Sequence, residues 1–131
     1  MQQSSNLVVY DASAVLAVLL KESGHQALQD VDVLVLLSAV NLAEVRSRLW
    51  DKGLSGGALD EMLARIEMSI VAFDAEQARL AAELRPATRA FGLSLGDRAC
   101  LALGVLKNAA VYTADRVWAE LKLPIEVRVI R

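Results

Sequence analysis

The feature that most constrains this chain is Leu7-Val8-Val9-Tyr10, an uninterrupted apolar run of β-branched and aromatic residues that stops at a carboxylate, Asp11. No polar residue alternates within it, so it has no face to give to water. The pattern predicts a strand in the middle of a sheet, covered on both sides. A carboxylate at the end of such a strand is costly unless it is hydrogen-bonded or bound to a metal. Asp11 is therefore a candidate for chemistry before anything else is known.

The rest of the chain alternates between strand and helix patterns. Ser13 to Leu20 predicts a short, almost wholly apolar helix, stopped by Lys21-Glu22-Ser23-Gly24. A short polar helix around His25 to Asp30 precedes a second strand at Val33 to Leu37. Ser38 opens a helix carried by Leu42, Val45 and Leu49, and Gly53 closes it at the position that favours a left-handed cap. Leu59, Met62, Leu63 and Ile66 mark another helix, followed by a third strand at Ser69 to Phe73. Asp74 with Gln77 spells a capping box for a helix carrying Ala78, Ala81 and Leu84, interrupted near Pro86. Ser94 opens a mostly buried helix with Cys100, Leu101, Leu103, Val105 and Leu106 on its apolar side. A fourth strand at Ala110 to Thr113, a short helix at Val117 to Leu121 and a last strand at Glu126 to Ile130 follow.

Parallel neighbours require crossover connections, so this alternation predicts an α/β fold: a three-layer α/β/α sandwich around a mostly parallel sheet. The chain has 131 residues, which suits one domain over 1–131 with a single sizeable core. Hydrophobic residues make up 55% and charged residues 23%, excluding a disordered chain and an integral membrane protein. Asp11 interrupts Leu7 to Leu20 and no basic residue precedes it, so that stretch is not expected to be a signal peptide. One cysteine and one histidine give no basis for a disulfide framework or a zinc cluster, and a reducing cytoplasm is the expected location. The net charge of -2 excludes a broadly basic nucleic-acid binder, but not a nuclease that grips phosphate through metal ions.

In such sheets functional groups gather at the carboxyl ends of the strands, where the strand order reverses. Asp11 follows the first strand directly, and Asp115 comes two residues after Thr113 at the end of the fourth. Glu44 and Asp97 fall in the first turns of helices that face the same edge. Four carboxylates gathered without basic partners repel one another, and divalent cations are the natural resolution. Each of three has an ordinary reading as well. Glu44 can complete a capping box with Asn41 or pair with Arg48, Asp97 can complete a box with Ser94, and Asp115 can cap the helix after it.

Val9-Tyr10-Asp11-Ala12-Ser13, Asn41-Leu42-Ala43-Glu44-Val45, Leu93 to Leu103 and Tyr112 to Trp118 resemble, in order, the four motifs of the PIN-domain nucleases. The similarity is greatest to the VapC toxins of bacterial toxin-antitoxin pairs and runs from Leu7 to Ile130. The resemblance implies a metal-dependent endoribonuclease in which Asp11, Glu44, Asp97 and Asp115 hold one or two Mg²⁺ or Mn²⁺ ions, with Ser13 and Thr113 in supporting roles. It also implies an RNA substrate, a cognate antitoxin and a homodimer, the latter two assembling into a larger complex. Leu59, Met62 and Leu63 are the apolar positions expected to mark a protein interface.

Hard oxygen ligands suit either ion, and a metal-activated water removes the need for a histidine base. His25 is accordingly expected at the surface, and Cys100 as a buried hydrophobe. Trp50 and Trp118 are expected to pack or to meet a protein partner. Arg46, Arg48, Arg98 and Arg116 either bind RNA phosphates or balance surface charge. A haloacid-dehalogenase phosphatase needs a second Asp two residues after the first, where Ser13 stands, and a receiver needs paired acids that are missing. The alternative from another class is a catalytically idle PIN-like module that binds RNA or protein. Retention of four mutually repelling acids argues against it.

Overall fold

The computed structural model describes residues 6–28 and 32–131. Leu7–Tyr10 forms strand β1, with Val8, Val9 and Tyr10 all buried. The other strands are β2 (Leu34–Ser38), β3 (Met68–Val71), β4 (Ala110–Thr113) and β5 (Val127–Val129). They form one sheet in the order β3-β2-β1-β4-β5, and every neighbouring pair is parallel. The order reverses between β1 and β4, so their carboxyl ends frame the crevice in which such sheets bind ligands.

Successive side chains of β1 serve opposite layers, as the two-residue period of a strand requires. Val8 and Tyr10 join one core with helix α1 (Ala12–Leu20), α2 (Ala39–Asp51) and α3 (Gly56–Leu63). Val9 joins a second core with Cys100, Leu101 and Leu103 of α6 (Leu95–Lys107) and with Val111 and Trp118. Helices α4 (Ala75–Glu83) and α5 (Arg85–Thr88) lie between β3 and α6 in sequence, and α4 packs on α6. Among the described residues no helix is long and apolar enough to cross a membrane.

Most elements match their expected positions within a residue or two; α3 stops at Leu63 and leaves Ile66 beyond it. Strand β3 starts one residue early and stops at Val71, because its partner β2 ends in register at Ser38. The polar segment after α1 is a 3₁₀ turn at His25–Leu28, and Asp30 lies outside the described residues. The segment after Asp115 is a 3₁₀ turn, Arg116–Glu120, instead of an α-helix. Gly53 does take the left-handed conformation after α2, with φ +88°. Gly24 has φ +92°, and a Cβ there would stand 2.3 Å from the Ile130 carbonyl oxygen, so only glycine fits between α1 and the chain's last strand.

One expectation about apolar residues is corrected. Leu59 is buried, and Met62 and Leu63 pack against the α1–α2 core, so they offer no free interface patch. They belong to the same apolar cluster as Val45 and Leu49 of α2. Trp50, by contrast, is 64% exposed, since its position on α2 faces away from both cores.

Candidate active site at the carboxyl edge of the sheet

Asp11 is the N-cap of α1, with an extended backbone and a carboxylate that turns back over the first turn. Its Oδ1 accepts hydrogen bonds from the Ala14 amide at 2.8 Å and the Ser13 hydroxyl at 2.7 Å. Its Oδ2 accepts from the Thr113 hydroxyl at 2.6 Å, across the reversal in strand order. The Ser13 and Thr113 oxygens are held in turn by the Ala114 amide at 2.9 Å and the Asp115 amide at 3.0 Å. Both supporting residues expected from the sequence are thus bonded to Asp11, and together they tie α1 to the end of β4. Asp11 is 5% exposed, and burial raises its pKa above the usual carboxylate range. The three hydrogen bonds work against that rise, while the charge of Asp97 adds to it.

Glu44 projects from the second turn of α2. Asn41 donates from Nδ2 to Glu44 Oε1 at 2.7 Å and to the Gly96 carbonyl at 3.0 Å, clamping Glu44 against α6. Asn41 lies inside α2, whose cap is Ser38, so it cannot serve as a capping-box partner, and no Glu44–Arg48 ion pair forms among the described residues. A Cβ on Gly96 would meet Glu44 oxygens at 2.6 and 2.7 Å, so glycine there leaves the space that the carboxylate fills. The Asn41 Oδ1 is buried without a partner.

Asp97 occupies the third position of α6, and both bonds of the capping box are present. Its amide donates to Ser94 Oγ at 3.1 Å, and its Oδ2 accepts from the Ser94 amide at 2.9 Å. The capping role is therefore real, yet its charge still acts on Asp11. One turn further along α6, the buried Cys100 thiol has its pKa pushed well up, first by burial and then by the charges of Asp11, Asp97 and Glu44. Three of the four candidate acids thus share one electrostatic neighbourhood. Asp115 caps the following 3₁₀ turn by accepting from the Val117 amide at 3.0 Å, is exposed, and joins the others through Thr113.

A groove of about 250 Å³ opens beside this cluster, with Ser13 and Glu44 in its wall. A larger cleft of about 610 Å³ starts at Val33 and Met68, and none of the four acids lines it. The arginines near the acids differ in employment. Arg46 bonds Asp60 through both terminal nitrogens, at 3.0 and 2.7 Å. Arg98 is buried and donates to the Ala81 carbonyl of α4 at 2.9 Å, which corrects its reading as an RNA ligand.

The PIN domain family matches residues 8–123 of the chain. The sequence has no match among curated proteins. Solved structures match over nearly the whole fold. VapBC2 of Rickettsia felis, bound to a DNA fragment from its promoter, has 15% identity and a TM-score of 0.72 over 95% of this chain and 99% of that one. The sarcin-ricin loop cleaving toxin VapC20 of Mycobacterium tuberculosis has 16% identity and a TM-score of 0.69 over 88% and 96%. FitAcB of Neisseria gonorrhoeae has 24% identity and a TM-score of 0.62 over 92% and 96%. These identities speak for a shared fold, and the family match covers most of the sequence: the chain belongs to the PIN-domain family.

Proposed function

We propose that this protein is an endoribonuclease that works with Mg²⁺ or Mn²⁺ and serves as the toxin of a VapBC-type toxin-antitoxin pair. One observation carries the reading: Thr113 binds the Asp11 carboxylate at the reversal of the strand order, Asn41 clamps Glu44 to Gly96 beside Asp97 on α6, and among the described residues none of Asp11, Glu44 and Asp97 is bonded to a Lys or Arg. Family membership and the likeness to solved toxins support it.

The donor set fits a hard divalent cation. Asp11 Oδ2 accepts one bond, and Glu44 Oε2 and Asp97 Oδ1 accept none among the described residues, so each carboxylate keeps a free acceptor site. No three His, Cys, Asp or Glu side chains among the described residues form a ready cage. Mg²⁺ does not require one, since it is commonly held by one or two carboxylates and keeps its waters. When bound, the cation lowers the pKa of water and offsets charge on the phosphate and the leaving oxygen.

The chain's own residues set the geometry. Ser13, Thr113 and the Ala14 amide fix the orientation of Asp11, Asn41 fixes Glu44, and the Ser94 amide fixes Asp97. We assign Asp115 to the outer rim of the site. A protein antitoxin is the partner in this reading, which the likeness to VapBC complexes supports. A homodimer belongs to it as well, on the family resemblance alone, since Leu59 is buried. The place of action is the cytoplasm.

The experiment is cleavage of single-stranded RNA by the purified protein with Mg²⁺, Mn²⁺ or excess EDTA. Cleavage is expected with either metal and not with EDTA, leaving 5′-phosphate and 3′-hydroxyl ends because water attack gives the ribose 2′-OH no role. Cleavage undiminished by EDTA, or 2′,3′-cyclic phosphate products, would overturn the mechanism.

A further inference from the structure

Three of the four arginines near the acids are occupied: Arg46 by Asp60, Arg98 by Ala81 and Arg116 by the Arg131 carbonyl. Arg48 is the fourth, and among the described residues its side chain has no hydrogen bond or ion pair, nor has that of Lys52. Both are exposed. They stand four and eight residues beyond Glu44, Arg48 one turn along α2 and Lys52 at the residue that ends it, and all three line the groove that opens beside Ser13. Arg131, which also lines the groove, lies 3.9 Å from Glu22 and donates to the Ser23 carbonyl at 3.2 Å, so Glu22 is already paired. The groove therefore holds one candidate acid, Glu44, and a pair of cations that have no acid partner among the described residues, on a protein whose net charge is -2.

We infer that Arg48 and Lys52 form the track for the RNA backbone, gripping the phosphates next to the one held at the acids. The inference rests on the endoribonuclease reading and names how its substrate is bound. Four residues of helix advance ~6 Å, close to the separation of successive phosphates in an extended single strand. One strand can therefore meet Glu44's neighbourhood, Arg48 and Lys52 in turn. Such contacts position the strand and carry no sequence information. An acidic protein segment seeks the same cations; RNA is the better occupant because Glu44 of the proposed nuclease site lines the same groove, and hydrolysis there requires a phosphodiester.

The test uses the full chain with both side chains removed, Arg48→Ala with Lys52→Ala, and Arg79→Ala as a control for lost charge on a distant surface of α4. The double variant should raise KM for a single-stranded oligoribonucleotide roughly tenfold while kcat stays within about twofold. In an Asp97→Asn background, the slope of log affinity against log salt should flatten by about 1.4, from ~0.7 for each lost phosphate contact. The control should move neither, and all variants should melt with the parent, because Arg48 and Lys52 are exposed with no side-chain bond among the described residues and the exposed Arg79–Glu83 pair contributes little. A parent that cleaves RNA beside a double variant with unchanged KM and salt slope would overturn the track and leave the nuclease reading standing. Unchanged RNA binding with lost binding of polyglutamate would reassign the groove to an acidic protein segment. A parent that neither binds nor cleaves RNA would remove both.

Discussion

Helices α4 and α6 begin with the same local grammar and end in different chemistry. Asp74 caps α4 by accepting from the Gln77 amide at 3.0 Å, as Ser94 caps α6 by accepting from the Asp97 amide. At the third position the two diverge. Gln77 turns its Nε2 to the Ala72 carbonyl and leaves its capping box half formed, while Asp97 closes its own box. At the second position α4 carries Glu76 and α6 carries Gly96, the glycine that makes room for Glu44. Capping and site formation are thus not rival explanations of Asp97. A cap fixes where a carboxylate points, and in the proposed function the company of Asp11 and Glu44 gives that direction a chemical use.

The sharpest way to break the comparison is to alter the third position in each helix. Asp97→Asn should lower RNA cleavage by more than ~100-fold, beyond the loss usual for groups that only orient metal ligands, whereas Gln77→Ala should leave kcat within about twofold. Comparable losses from both would return Asp97 to the ranks of ordinary caps. At the second position, Gly96→Ala gains up to ~1 kcal/mol of helix propensity yet pushes a Cβ into the Glu44 carboxylate. The expected pattern is a protein that melts no lower and cleaves ~10–100-fold slower, and full activity would show that Glu44 is not needed where it stands. Glu76→Ala, its counterpart on α4, should do nothing to cleavage.

Smaller effects concern stability. Asp74→Ala should cost about 1 kcal/mol by losing a cap, a drop of a few degrees in Tm, with cleavage intact below the new transition. Asp97→Asn should shift the metal-free melt by less, since Asn can still accept from the Ser94 amide and the change removes a charge that acts on Asp11. The smallest effect is a slope with pH. Burial sets the native pKa of Asp11 above its ordinary 3.8, so in the window between the two the native chain binds more protons than the unfolded one. The stability owed to this group is whole below 3.8 and is lost as pH rises through the raised native value. Urea midpoints of the EDTA-treated protein should therefore fall across that window, and Asp11→Asn should flatten the fall. A variant with the parent's slope would show that another group is responsible.

The sequence made the sheet legible because β1 and β4 are too apolar to be anything but buried, and because Ser38, Asp74 and Ser94 punctuate the helices. Asp11 was legible for the same reason, as a charge at the end of a run that has no place for one. What could not be read was the fate of side chains whose partners are remote in sequence. Arg98 looks like Arg48 in a string of letters, yet one ends on the Ala81 carbonyl and the other in the groove. Leu59 lost its expected interface role because helix faces are assigned by neighbouring elements, and periodicity cannot say which face a neighbour covers. Asn41 gave only a short-range signal, although its longer reach, 55 residues to Gly96, is what joins α2 to α6.

The pairing of β1 with β4 brings Val8 beside Ala110 and Asp11 beside Thr113. Domains emerge from the ribosome amino end first, so the strand bearing Asp11 exists long before the strand that completes its surroundings. Until residues 110–113 have been made, Asp11 has neither the Thr113 hydroxyl nor the closing wall of the sheet. Asp11 therefore waits for a hydroxyl 102 residues further along the chain before its carboxylate is fully held, and the order of synthesis separates the making of this acid from the making of its surroundings.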